Sequence, residues 1–304
     1  MKQMNNNLKP ILKWAGGKTQ MLPNIIENLP IDITNQTKYV EPFIGAGAVF
    51  LHFIKENQFS EYIINDINTK LINLYICIKE DTENLIQNLE KLQSEYLALT
   101  DINLKEEYYY NIREKFNSDN NDTTITSAWL IFLNKTCYNG LYRENSKGNF
   151  NVPFGKHEAP NIYDKENIKL MSKMLNKKNV NGEYLVKIFN TSFENLISYI
   201  DATTFVYLDP PYRPITSRGF TAYNKSNFND ASQINLSQFY FKLDQYKAKL
   251  MLSNSDPKVL NSNDMFFDNL YSSYEIKRVS AKRMINRNGK GRGPITELLI
   301  TNYK

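Results

Sequence analysis

The chain has 304 residues, of which 41% are hydrophobic and 23% charged, and its formal net charge is +5. That length buries a full core with room for an insert; no apolar stretch approaches membrane-spanning length and the opening Met1-Lys-Gln-Met-Asn lacks an apolar leader, so a cytoplasmic protein without a membrane partner is expected. Two cysteines (Cys77, Cys137) and two histidines (His52, His157) fall at no metal-ligand spacing, which argues against a metal enzyme.

The first segment with chemical content is Lys13-Trp14-Ala-Gly-Gly17-Lys18-Thr19. It contains G-K-T, but a phosphate-binding loop needs glycine five residues before Gly17, and Leu12 stands there. Lys18 suits a carboxylate partner instead. From Lys38 to Asn68, the strand-like runs Tyr39-Val-Glu-Pro-Phe and Glu61-Tyr-Ile-Ile-Asn flank an apolar helical segment beginning at Ala48, which reads as βαβ. Between them, Glu41-Pro-Phe43-Ile-Gly45-Ala-Gly47 permits a tight turn and close backbone approach to a ligand at the helix amino terminus. Asp66, nineteen residues beyond Gly47, is placed to bind a ribose diol at the end of the second strand. Phe50 occupies the third glycine position of the dinucleotide pattern, which favours a nucleoside without pyrophosphate over NAD.

From Thr69 to Phe116 the period becomes helical, with Leu71, Leu74, Tyr75 and Ile78 opening an apolar stripe that reads as plain core. A further helix is expected over Ile125 to Cys137, and then a hairpin turning at Asn145 to Gly148. From Tyr184 strands resume at Val186, Thr204 to Leu208, Lys249 to Ser253, and in a last pair around Tyr271 to Arg278 and Glu297 to Asn302. The pattern is an α/β sheet interrupted by a helical insert.

Asp209-Pro210-Pro211-Tyr212 ends the apolar run Thr204 to Leu208. Two prolines stop the strand, so the tetrapeptide projects from its carboxyl end, where ligands of open α/β sheets bind. It offers an acidic acceptor, carbonyls with no neighbouring donor, and an aromatic face. That set suits a flat heterocycle with an exocyclic amino group; a rigid turn is the plainer reading of the tetrapeptide alone. Charge is unevenly placed: Lys277, Arg278, Lys282, Arg283, Arg287, Lys290 and Arg292 occur with no acid among them, and Lys135 to Lys156 is also basic. Such faces point to a polyanion, against the simpler account of a solvated loop.

Taken in order, Leu12-Lys-Trp-Ala-Gly-Gly-Lys18, Glu41 to Gly47, Asn65-Asp66-Ile-Asn, Asn134-Lys-Thr-Cys-Tyr-Asn-Gly-Leu-Tyr-Arg143, Gly148 to Gly155, Asp209 to Tyr212, Phe220 to Tyr223 and Ser253 to Asp256 resemble the Dam-like DNA adenine-N6 methyltransferases of the D12 class, nearly end to end. The resemblance implies a Rossmann-like S-adenosylmethionine-dependent methyltransferase sheet formed by residues 1–68 and 158–304, with residues 69–157 as an inserted target-recognition domain, helical plus a β-hairpin. It implies S-adenosylmethionine as cofactor, held by Trp14, Lys18, Phe43, Gly45, Gly47, Asp66, Phe193 and Asp209. It implies double-stranded DNA as partner, contacted by Lys13, Asn139, Leu141, Arg143 and Pro153, with GATC as the site. A restriction endonuclease acting on the same site is a possible second partner. Lys156 and His157 stand where the family tends to carry arginine and tyrosine, and His157 is expected to be a solvent-facing loop residue.

For catalysis the resemblance and the residues agree on Asp209, Pro210 and Tyr212. A flipped adenine would stack on Tyr212 while its amino hydrogens go to the Asp209 carboxylate and the Pro210 carbonyl. Neither cysteine follows a proline, so the Pro-Cys nucleophile of cytosine-carbon methyltransferases is absent, and both are expected to be buried apolar residues. Rival readings are methylation of RNA or single-stranded DNA, and a degenerate module that binds DNA without turnover; Asp66 and the complete tetrapeptide argue against the second.

Overall fold

The computed structural model describes residues 8–14, 16–118, 123–213, 228–282 and 294–304. In chain order these form α1 (Leu22–Glu27), β1 (Lys38–Glu41), α2 (Ala48–Glu56), β2 (Glu61–Asn65), α3 (Thr69–Glu80), α4 (Thr82–Ala98), α5 (Ile102–Ser118), α6 (Thr123–Thr136) and α7 (Lys165–Leu175). They continue with β3 (Val186–Phe189), β4 (Thr204–Leu208), α8 (Asp230–Gln245), β5 (Lys249–Ser255), α9 (Phe266–Leu270), β6 (Glu275–Lys282) and β7 (Pro294–Thr301). The chain is therefore α/β, as its alternating and helical periods require.

It divides into two compact units. The first comprises Gly45–Asn57, Asp66–Asn190 and the described residues up to Gly17; it holds α2 to α7 and β3. Residues 69–157 lie wholly inside it. Two of its helices start where a side chain satisfies an orphan amide: Asn68 Oδ1 accepts from Leu71 N at 3.0 Å before α3, and Asp164 Oδ1 from Asn167 N at 3.1 Å before α7. The stripes at Leu71, Leu74, Tyr75 and Ile78 and at Leu85, Ile86, Leu89, Leu92 and Tyr96 are buried, as their reading as core requires, but Leu99, expected to continue the second stripe, is only half-buried because α4 ends before it.

The expected hairpin exists in reduced form. Asn145 N donates to Asn149 O and a single antiparallel bridge joins Glu144 to Phe150. Asn151 N also donates to Arg143 O, so the backbone groups of Phe150 itself point away from Glu144, and Asn117, at the end of α5, takes both, at 2.8 and 3.0 Å.

The second unit carries the remaining strands, in the order β2-β1-β4-β5-β7-β6. Strands β2, β1, β4 and β5 pair in parallel, and β7 runs antiparallel to both β5 and β6. β4 has neighbours on both sides and is buried at every position, as expected of a continuous apolar run inside a parallel sheet. Asp209 follows directly at its carboxyl end.

Candidate active site and nucleic-acid surface

Asp209 leaves β4 with its side chain 18% exposed. One oxygen, Oδ1, takes two donors: Lys18 Nζ at 2.9 Å and Ser253 Oγ, from β5, at 2.8 Å. Lys18 is itself only 4% exposed. The buried Tyr207 hydroxyl lies 3.1 Å from Ser253 Oγ, and because Ser253 donates to Asp209, Tyr207 is the donor in that pair. Among the described residues, Oδ2 accepts no hydrogen bond. Burial raises the Asp209 pKa, Lys18 and Ser253 pull it back, and Glu297 adds to the rise.

The next residues divide their carbonyls. The sequence reading left all of them without donors, and that is corrected for Pro211, whose carbonyl accepts from Gln233 Nε2 at 3.0 Å. Gln233 reaches it because α8 starts nearby in the fold, and Asn254 orients its amide by donating to Gln233 Oε1 at 3.1 Å. Among the described residues no donor reaches the Pro210 carbonyl, so it is open, as Asp209 Oδ2 is. Tyr212 holds its hydroxyl 2.7 Å from Glu297 Oε2, and Lys18 Nζ lies 4.4 Å from its ring centroid. Arg213 then closes the segment: its guanidinium binds Asp230 at 2.8 Å and Asp264 at 2.8 Å, and its main chain meets Asn254 Oδ1 and Ser255 Oγ. A strand end that two prolines already stiffen is thus pinned from three elements.

In the same unit Phe43 packs against Phe193 at 5.3 Å and against Phe228 at 5.9 Å, and Phe193 against Phe239. Asn65 supports this corner by donating to the carbonyls of Pro42 and Thr191 and accepting from Thr191 N.

The first unit gathers Trp14, Gly45 and Asp66. Gly45 N donates to Asp66 Oδ2 at 3.1 Å and Asn68 N to Oδ1 at 3.0 Å, and the Ile67 amide also acts on the carboxylate, so backbone amides orient it. Burial raises the Asp66 pKa and these amides oppose it. Gly45 has φ +48°, and a Cβ there would sit 3.1 Å from Trp14 Cδ1, so the position requires glycine. Trp14 stacks on Tyr142 at 4.7 Å, and Tyr75 donates to the Gly45 carbonyl at 3.0 Å. Gly47 is the N-cap of α2. Tyr75 and Tyr142, which the sequence reading left among the stripes and motifs, are what hold this cradle.

Four of the five residues expected to meet DNA are joined by backbone ties. Asn134 accepts from Lys13 N at 2.8 Å and donates to Lys13 O and Gly140 O, fixing Lys13 beside the turn Asn139-Gly140-Leu141. Gly140 has φ +62°, and a Cβ would fall 2.9 Å from Lys13 Cδ. Tyr138 N donates to Pro153 O. Arg143 stands apart on the hairpin, exposed, with Nε 2.7 Å from Asn151 Oδ1. His157 is exposed, as expected, and its carbonyl accepts from the Tyr96 hydroxyl. Both cysteines are buried, and burial pushes the Cys137 thiol up to about 11, which suits no nucleophile at neutral pH. In the basic run, Arg278 is bound by Asp256 and Asp268, and Lys277 lies 3.4 Å from Glu275. Arg283, Arg287, Lys290 and Arg292 lie outside the described residues, as does Phe220 to Tyr223. No helix among the described residues is long and apolar enough to cross a membrane.

Comparison with known proteins agrees with this arrangement. The family model of the D12 class N6 adenine-specific DNA methyltransferases matches residues 14–285. The chain is 49% identical to the Type II methyltransferase M.MjaIII of Methanocaldococcus jannaschii, over 97% of this chain and 99% of that protein. It is 34% identical to the Type II methyltransferase M1.LlaDCHI of Lactococcus lactis subsp. cremoris (98% and 96% covered) and 32% identical to the DNA adenine methylase of Escherichia coli K12 (96% and 94%). With the tetrapeptide, the glycine turn and Asp66 in these positions, the chain belongs to the D12 class of N6 adenine-specific DNA methyltransferases.

Proposed function

We propose that this enzyme methylates the N6 amino group of an adenine flipped out of double-stranded DNA, within GATC, using S-adenosylmethionine. The observation that carries the reading is the pattern of filled and open acceptors at Asp209 to Tyr212. Asp209 Oδ1 and the Pro211 carbonyl are satisfied within the protein, while among the described residues Asp209 Oδ2 and the Pro210 carbonyl take no donor, and we assign this pair to the two amino hydrogens. Accepting both hydrogens makes the amino nitrogen more tetrahedral and frees its lone pair, and the same acceptors stabilise the positive charge that develops on it. Tyr212 supplies the stacking face that offsets part of the cost of flipping, a few kcal/mol.

The residues fit the cofactor. The Trp14–Gly45 contact leaves a surface that a Cβ would fill, and Asp66 keeps acceptor capacity for a ribose diol. We assign Trp14, Gly45, Gly47 and Asp66 to the nucleoside, Phe43 and Phe193 to its base, and Lys18 and Asp209 to the amino-acid end. When bound, S-adenosylmethionine supplies a methyl group on cationic sulfur.

Residues 69–157 serve as the target-recognition segment, with Lys13, Asn139, Leu141, Arg143 and Pro153 facing the duplex. Action on DNA in the cytoplasm, alongside a restriction endonuclease of the same specificity, is part of the reading. The Type II methyltransferases M.MjaIII and M1.LlaDCHI among the relatives favour that partner over a solitary role. Incubating unmethylated plasmid with the protein and S-adenosylmethionine and mapping modified adenines tests the whole. Modification confined to GATC is expected; modification at other sequences overturns the target, and none overturns the activity on duplex DNA.

A further inference from the structure

Glu297 lies in the middle of β7, opposite Ser255 on β5 and Val279 on β6. The carboxylate there is half-buried. Its partner is Tyr212, whose hydroxyl donates to Glu297 Oε2 at 2.7 Å. Pro210 and Pro211 fix the main chain on one side of Tyr212, and the Asn254 and Ser255 contacts to Arg213 fix it on the other. None of these constrains the side-chain torsions that set the tilt of the ring. Lys18 Nζ lies over the ring face, 4.4 Å from its centroid, and so limits rotation about the Cβ–Cγ axis. The hydroxyl oxygen lies on that axis, so the directed, charge-assisted bond at the tip is the contact that fixes where the ring's long axis points.

We propose that Glu297 is a positioning residue for adenine methylation: through the Tyr212 hydroxyl it sets the tilt of the ring on which the flipped base stacks. This rests on the reading of Asp209 to Tyr212 as the adenine site. Glu297 touches neither base nor cofactor in this role. Its negative charge also adds to the field at Asp209, so its removal has a second, separable signature in the pH profile.

The test compares wild type, E297A, E297Q, Y212F and E297A/Y212F on a duplex with 2-aminopurine at the target position, and measures kcat and KM on the unsubstituted duplex. The probe brightens on leaving the DNA stack and dims when it stacks on an aromatic ring. E297A and Y212F are expected to brighten the complex alike and to lower kcat by on the order of 10- to 100-fold, the cost of a small misplacement, with little change in KM for S-adenosylmethionine. The double variant should be no worse than either single one. E297Q, whose amide oxygen still accepts from the hydroxyl, should recover most of the kcat lost in E297A and return the fluorescence to the wild-type level. Wild-type fluorescence and kcat in E297A, or additive losses in the double variant, overturn the proposal. If E297A does not fold, Y212F against E297Q decides: a wild-type Y212F overturns it. A wild-type protein that methylates no adenine in the same assay overturns the reading of the tetrapeptide itself, a result distinct from any pattern among the variants.

Discussion

Ser253 Oγ donates to the same Asp209 oxygen that Lys18 binds, at 2.8 Å and 2.9 Å respectively. Two donors on one oxygen fix the carboxylate plane and turn the other oxygen outward. The proposed catalytic acceptor is therefore selected by its neighbours as well as by its place at the end of β4.

That relationship has a pH signature. Asp209 must be ionised to accept an amino hydrogen, and burial already holds its pKa above the ordinary carboxylate value. The Ser253 bond favours the charged form, so Ser253→Ala raises the pKa further and moves the acid limb of the kcat profile to higher pH. Glu297→Gln removes a nearby negative charge and moves the limb the opposite way. Initial rates measured across the mildly acidic range check both signs; limbs that coincide with wild type contradict them.

Gly45→Ala should uncouple cofactor binding from the fold. The left-handed backbone at φ +48° costs a non-glycine residue about 1–2 kcal/mol, and the new methyl displaces Trp14 from its stack on Tyr142. Titration calorimetry with S-adenosylmethionine should show affinity weakened by about tenfold or more, the equivalent of 1.4 kcal/mol. An unchanged affinity removes Trp14 from the cofactor site.

Arg213→Met should destabilise the protein by about 3 kcal/mol, the low end for breaking a buried ion pair, because Asp264 is left unpaired while Asp230 is half-exposed. Denaturant unfolding reads the loss. Activity at a temperature where the variant is folded should also fall, since Arg213 anchors the chain beside Tyr212; full activity there confines Arg213 to stability.

Arg143→Ala should lower discrimination against sites with one altered base pair by about 1–3 kcal/mol at the position it reads. Asn151→Ala, which frees the guanidinium without removing it, should lower it less. The ratio of kcat/KM for the intact and altered sites is the measurement. A uniform loss on all sequences assigns Arg143 to phosphates instead.

Much of this was legible in the sequence because it is local. The βαβ unit from Lys38 to Asn65, the glycine turn, the acid at Asp66 and the strand stop at Pro210 each follow from neighbouring residues. The N-cap Asp164 with Ile168, Met171 and Leu175 was an equally local signal for α7 that the strand-centred reading passed over. What escaped is non-local. Ser253 and Glu297 lie 44 and 85 residues from the side chains they bind, and only the strand order, with β7 inserted next to β5, brings them to the end of β4. Gln233 corrects the Pro211 carbonyl for the same reason. Asn117, 33 residues away, takes the outward backbone groups of Phe150 in the hairpin, which no turn chemistry at Asn145 could disclose.

The central claim is that Asp209 and Pro210 present one adenine amino group for methylation. Nucleoside analysis by mass spectrometry of duplex DNA treated with wild type and with Asp209→Ala tests it most directly. The expected result is N6-methyladenine with wild type and none above background with the variant. Methylcytosine in place of methyladenine, or methyladenine formed equally by Asp209→Ala, contradicts it.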